Sequence, residues 1–505
     1  MLVKSADERL SSGAQVVQSL RTSVSGAAHA VAPAAPKASD NARTERSVVV
    51  LPFANVSPDA DTEYFSDGLT DELITDLSRV KALRVISRTT AMQYKGSTLS
   101  LRDIGSAVGV RWALTGSVRR AGNALRISAQ LVDVQRDEPA WAEKYNGTLD
   151  DVFDVQERVS RAIVDALDVA LSPQESANLA ARPLQDVRVF ELYLKAKEAL
   201  GAYDIARAAP FIARAIEMAG RVPLLRALEA MNGIIQLRTG ASRSPELMAS
   251  IERAARTLIA EAPELAQGHA LLGYLAYERG DQITAVQSLR RALTLDPSDG
   301  DIRFFLSISI SSAGPPDTRA ALAWHALDPL SPLANAAVAT NTWWVGRFAD
   351  GLRFMEEAVR LTPAGLIFHW GLGNHLALMG RYTDAAEQVA WLAEHAPFFP
   401  YTPTLQGLVL GAEGKHDEAI ATLSTIDEAP LDGHHIFHLA ESYAAARADD
   451  RAVALLDRAV SMGFYVSDYC ERLSPFFNAI RGRDDFAAVM RRARAREAEF
   501  VAAVG

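Results

Sequence analysis

The chain has 505 residues, too many for one hydrophobic core, so at least two domains are expected. With 49% hydrophobic and 23% charged residues it has the composition of a folded soluble protein, and a formal net charge of -10 gives it no general attraction for nucleic acid. Its single cysteine, Cys470, excludes an internal disulfide and any multi-cysteine zinc or redox motif, which suits a reducing compartment.

In chain order, residues 1–46 read as a flexible leader: a loose helical pattern through Val3, Leu10 and Val17, then an Ala- and Ser-rich stretch with Pro33 and Pro36. Asp7 and Glu8 stand where a signal peptide would be basic and then apolar, and no run approaches the roughly 18 apolar residues of a spanning helix. A cytoplasmic location is expected.

Ser47-Val-Val-Val-Leu-Pro-Phe53 is a short β-branched run of the kind that forms a buried strand. Leu73, Ile74, Leu77 and Val80 then follow a helical period from Asp71, with Ser66 or Thr70 as the earliest start. Leu83–Ile86 predicts a second strand and Leu101–Val108 a second helix. Trp112–Thr115 and Leu125–Asp133 flank a Gly-Asn turn, and Leu125, Ile127, Ala129 and Leu131 alternate with polar residues, as in a hairpin with one buried face. Trp141–Tyr145 adds an edge strand, and Val152–Leu171 an amphipathic helix. The fold class is thus a small mixed sheet with flanking helices over 47–171, a linker over 172–189, and an all-α remainder.

That remainder repeats. Turn glycines Gly280, Gly314, Gly346, Gly380 and Gly414 are 34, 32, 34 and 34 residues apart. The clearest copy, 266–299, places Gly273 in one helix and Ala285 in the next, and Pro297 ends it for want of an amide. The small pair recurs as Gly373 and Ala385, Gly407 and Ala419, and Ala440 and Ala452, at points where two helices must cross closely. Around Gly314 the pattern weakens, because Pro315-Pro316 disrupts the next helix start. This arrangement resembles the tetratricopeptide repeat family over about 190–490, with 491–505 as helix end and tail. The resemblance implies a stack of helix pairs binding a protein or peptide on a concave face.

Leu51-Pro-Phe53, Glu63-Tyr-Phe-Ser-Asp-Gly68, Val85-Ile-Ser-Arg88, Gly116-Ser-Val-Arg119 and Asp150-Asp-Val-Phe-Asp-Val-Gln156 resemble the TolB-like amino-terminal domain, related to FlgO-type domains. In bacteria such domains often precede tetratricopeptide repeats, downstream of a cyclase, a kinase or a winged-helix regulator. None of these precedes Ser47 here, so a stand-alone scaffold, or the accessory half of a larger system, is expected.

Trp343, Trp344, Arg353, His369 and Trp370 are the candidates for the partner-binding face, although aromatics at helical spacing in an all-helical stack more often serve packing. His434 and His438 are spaced to share a metal, as are Asp67 and Asp71, but no further ligand stands at motif spacing, and acids at a helix start are favoured by its dipole. Arg88, Arg119, Arg120 and Arg126 offer an anion-binding patch. No phosphate loop has its lysine, and no serine of the α/β region has a histidine within that region. The expectation is therefore a non-enzyme without cofactor or metal, acting on a protein or peptide partner or a second copy of itself, with no nucleic acid and no membrane span. An accessory region of a cyclase or transcription regulator, and an enzyme of unfamiliar type, are the alternatives.

Overall fold

A computed structural model describes residues 46–504 apart from 59–61, 202, 240 and 398. The expectations for the leader lie outside the described residues. The compact unit Thr44–Gly505 contains both the α/β region and the helices.

The sheet is built from β1 (Ser47–Val50), β2 (Ala54–Asn55), β3 (Arg84–Val85), β4 (Trp112–Ala121), β5 (Ala124–Asp133) and β6 (Glu138–Thr148). Its order is β3-β1-β4-β5-β6, with β1 parallel to β3 and β4, and the β4-β5-β6 meander antiparallel. β2 continues β1 along the same edge of β4, the two parted at Pro52, which has no amide to give the ladder. Gly122 heads the two-residue β4–β5 turn at φ 60, a conformation that costs glycine nothing.

Four helices accompany the sheet: α1 (Glu63–Ser78), α2 (Arg88–Met92), α3 (Leu101–Val108) and α4 (Val152–Ala166). α1 begins earlier than its apolar period suggests, and Gly68 within it explains the concealment. A Cβ at Gly68 would lie 2.7 Å from Leu194 Cδ1, so this helix-weakening residue is retained for a close helix crossing. α4 stops short of Leu171, and Asp168 takes φ 50 just beyond it.

The expected linker 172–189 is largely ordered, containing α5 (Pro173–Ala180) and the start of α6 (Val187–Gly201). Ser172 accepts from the Glu175 amide while Glu175 accepts from the Ser172 amide, a capping box with proline at the first helical position.

Helices then alternate to the end: α7 (Ile205–Ala219), α8 (Pro223–Thr239), α9 (Pro245–Glu261), α10 (Ala266–Glu278), α11 (Gln282–Leu295), α12 (Gly300–Ala313), α13 (Thr318–Leu327), α14 (Pro332–Trp344), α15 (Phe348–Leu361), α16 (Leu366–Leu378), α17 (Tyr382–His395), α18 (Tyr401–Ala412), α19 (His416–Leu423), α20 (Gly433–Ala445), α21 (Asp449–Ser461) and α22 (Asp484–Val504). α22 runs through the boundary expected near 490, so helix occupies nearly all of the expected tail.

The small residues lie where helices meet. A Cβ added at Gly273 would be 2.6 Å from Leu289 Cγ, and one at Gly407 would be 2.4 Å from Leu423 Cδ2, each within its own hairpin. Gly373 differs, since its nearest neighbour, Leu405 Cδ2 at 2.4 Å, belongs to the next inner helix. Ala285, Ala385, Ala419, Ala440 and Ala452 are wholly buried.

Candidate functional site

The inner helices α14, α16 and α20 are buried on nearly every side, whereas their outer partners bury narrower faces, only Ala385 and Leu392 in the case of α17. A helix that is apolar all round must be covered all round. Their cover comes from the far end of the same superhelix. The turn after α10 meets the turn after α21 so closely that a Cβ at Gly280, which takes φ 78, would sit 2.1 Å from the Met462 carbonyl oxygen. Nearby the Tyr465 amide donates to the Ser312 carbonyl at 2.7 Å. Gly314 lies against Phe500 of α22. The repeats close on themselves, and side chains fill the space that an open groove would leave.

This placement corrects the expected binding face. Trp343, Trp344 and Trp370 are 3–5% exposed and belong to the main helical core. Trp344 packs edge-on against Tyr469 and Phe464, and Trp343 is tilted against Trp370 at 6.2 Å. His369 stacks on Trp391 at 3.6 Å, with Nε2 hydrogen-bonded to the Pro363 carbonyl. Arg353 is exposed, but it lies on the outer helix α15 above Phe354.

Within this core runs a buried polar chain. His438 Nδ1 is 2.9 Å from Glu441 Oε2, His438 Nε2 is 3.2 Å from His434 Nε2, and His434 Nδ1 is 3.1 Å from the Tyr401 hydroxyl. Tyr469 and Ser474 both donate to Glu441 Oε1, and Trp343 Nε1 donates to Tyr469. Burial pushes the Glu441 carboxyl up to about 8 and His438 down to about 3; for His434, also lowered to about 3, burial is joined by the neighbouring imidazoles. One assignment of protons satisfies every contact without burying a charge. Protonated Glu441 donates to His438, His438 to His434, and His434 to Tyr401. The i,i+4 histidines are thus hydrogen-bonded to each other, and among the described residues no group of three or more His, Cys, Asp or Glu side chains is placed to hold a metal.

At the mouth of the closed superhelix, between the end of α8 and the starts of α18 and α20, lies a cavity of about 270 Å³. Arg238, Arg243, Tyr401, Asp427, Asp432 and His435 contribute to its walls. Arg243 is committed, donating to Glu278 Oε2 at 2.6 Å and to the Glu278 carbonyl at 2.8 Å. Arg238 stands over Phe305 at 3.8 Å and Tyr274 at 4.9 Å, and its shielded Nε and Nη2 have no acceptor. Nothing in the repeat pattern marks Arg238, because α8 is a degenerate copy.

The α/β charges are mostly engaged. Asp67 receives Lys95, Asp71 and Glu72 share Lys197 of α6, and Asp76 accepts from Gln156. The expected arginine patch is dispersed: Arg88 faces Asp71, Arg120 pairs with Glu191, and Arg119 and Arg126 are opposite each other across β4 and β5. Lys197, together with Asp328, which accepts from Ser87 and Thr90, fastens the α/β domain to the helices at two places.

Comparison with known proteins finds matches in both regions. Residues 343–397 and 404–463 match the tetratricopeptide repeat family model. Those residues of the helical region are built of tetratricopeptide repeats. Residues 44–161 match the model "HilA/YgeH-like transcriptional regulator, second domain". A relative from Rhizobium meliloti (strain 1021), named "Putative adenylate cyclase 3", is 43% identical over 154 residues, which is 30% of this chain and 26% of that protein. The chain therefore spans about a quarter of that relative's length. Among solved structures, a Rap protein complexed with competence and sporulation factor is 12% identical, covering 63% of this chain and all of that one at a TM-score of 0.46. TolB from Acinetobacter baumannii is 22% identical over 24% of this chain and 28% of its own, at a TM-score of 0.19. The order of the two family matches, a regulator-type α/β domain and then the repeats, is the order the sequence resemblance implies.

Proposed function

We propose that this chain is a non-catalytic regulatory scaffold of bacterial signalling whose repeats hold a protein or peptide partner. The observation that carries this reading is the repeat architecture itself, fastened by Lys197 and Asp328 to an α/β domain matching part of a transcription regulator. Because the superhelix interior is occupied by Trp343, Trp344 and Trp370, the partner meets the repeats at the mouth cavity and the outer faces. No helix among the described residues is long and apolar enough to cross a membrane.

Capture from native cell extract with the full chain, followed by chemical cross-linking and mass spectrometry, tests it. Cross-links to α8–α20 are expected. Partners that cross-link only to residues 47–171 would contradict the assignment. The segment shared with the Rhizobium meliloti relative favours a second reading, in which the chain serves as the accessory part of a cyclase system. Recovery of a nucleotide cyclase as the principal captured protein would favour it.

A further inference from the structure

The β4-β5-β6 meander turns one face to the helices and the other to solvent. Val118, Ile127 and Tyr145 form a row on the covered face, where Arg158 of α4 stands 4.6 Å over the Tyr145 ring. Side chains alternate along a strand, so Arg119, Arg126 and Asn146 form a row on the opposite face. Ser117, Ser128 and Lys144 form the next row. Arg119, Arg126, Asn146 and Lys144 are exposed, the two serines are half-buried, and neither row contains an acidic side chain. Arg119 and Arg126 stand directly opposite each other, with Cβ atoms about 5 Å apart, and like charges so placed destabilise a sheet. Arg126 donates to the neutral Asn146 Oδ1 at 2.7 Å, while among the described residues Arg119 and Lys144 have no acceptor. Every other arginine between positions 79 and 161 faces a carboxylate or donates to a main-chain carbonyl.

We propose that this sheet face docks an acidic segment of a partner protein, whose Asp and Glu carboxylates lie on Arg119, Arg126 and Lys144. The argument is charge complementarity. The face offers guanidinium, ammonium, amide and hydroxyl hydrogens and no carboxylate, so it complements a surface rich in oxyanions. Carboxylates spanning Arg119 and Arg126 remove the repulsion between them and take the charge-assisted hydrogen bonds that both guanidiniums leave unused. Ser117 and Ser128 are short, so they let an incoming backbone approach between the cations. A nucleic acid suits the same charges less well. It would run beyond three cations onto a chain of net charge -10, and neither row holds an aromatic ring on which a base could stack. The surface belongs to the α/β domain, so the proposal does not rest on the repeats holding a partner.

Fluorescence anisotropy with the full chain tests this, using a labelled peptide of alternating Glu and Ala, its counterpart of alternating Gln and Ala, and labelled single- and double-stranded DNA. The Glu peptide is expected to bind, more weakly as salt screens the exposed charges, and the Gln peptide not to bind. Arg119→Gln combined with Arg126→Gln breaks no ion pair and relieves a repulsion, so it folds with an unchanged or higher unfolding midpoint. It weakens binding of the Glu peptide by roughly tenfold. Lys144→Gln lowers the affinity in the same direction and serves if the double variant is unstable. Arg253→Gln combined with Arg319→Gln removes the same charge from two exposed arginines of the repeats that have no ion pair among the described residues, and leaves the affinity unchanged. Equal binding of the Glu and Gln peptides, no binding of either, full affinity in the Arg119 and Arg126 double variant, or an equal loss in the Arg253 and Arg319 control would overturn the proposal. Tighter binding of DNA than of the Glu peptide, lost in the same double variant, would assign the face to nucleic acid and overturn it as well.

Discussion

Glu441 is the residue on which the interior depends, because Tyr469, Ser474 and His438 all converge on its carboxyl. Glutamine can accept from Tyr469 and Ser474 and donate to His438, so Glu441→Gln is expected to fold. Glu441→Ala strands three buried groups and should cost about 3 kcal/mol or more, read by denaturant unfolding. The pH dependence separates these groups. The Glu441 carboxyl lies near 8 when folded against 4.5 when unfolded, so the native state binds more protons between those values. Its contribution is complete below pH 4.5 and is lost as pH rises through 8. His434, His435 and His438 behave oppositely: lowered to about 3 from 6.5, they leave the unfolded state binding more protons in that window. Their contribution is complete above pH 6.5, and by pH 5 each buried imidazole has cost roughly 2 kcal/mol. Glu441→Gln should gain on the wild type between pH 5 and 9. An unchanged difference between the two proteins across that range would show that Glu441 is not a buried neutral acid.

At the scale of elements, the hairpins were legible because their causes are local. Small residues such as Gly273 and Gly407, turn glycines and terminating prolines recur at fixed spacing, and the structure puts both glycines against a leucine of the paired helix. Gly407→Val should force Leu423 aside and lower stability by about 3 kcal/mol, measured by urea unfolding. A neutral result would mean that the α18–α19 crossing is looser than its geometry. The weak copy is equally physical: Pro315-Pro316 separates α12 from α13, and α13 packs on α14 instead. What local pattern could not supply was the use of Trp343 and Trp370, since a buried aromatic and a groove-lining one have the same helical spacing. The early start of α1 was hidden by Gly68, whose reason lies across the domain boundary in Leu194. The α5 helix, in contrast, is announced by Ser172-Pro-Gln-Glu175 within a stretch whose prolines suggest a linker.

For the molecule as a whole, the decisive contacts join residues far apart in sequence, where no period points to them. Asp328 receives Ser87, the cap of α2, and Thr90 within it, while Arg84 donates to the Leu327 carbonyl, so the α/β domain sits against the middle of the repeats. Asp328→Ala strands those hydroxyls and should cost about 2 kcal/mol and raise hydrogen exchange in α2. Exchange confined to the repeats would contradict that coupling. The same reasoning explains why the candidate site escaped the sequence: Arg238, Tyr401 and Asp432 become neighbours only when the superhelix closes. Closure is the claim on which the site stands, and the Tyr465 amide reports on it most directly. That amide follows the last repeat outside any helix and bonds to the Ser312 carbonyl across the closure. Residue-resolved hydrogen exchange is expected to find it protected nearly as well as the core amides of α16, and Gly280→Val should release it. Exchange at the rate of an unprotected loop in the wild-type chain would mean that the repeats are open and that the mouth cavity does not form.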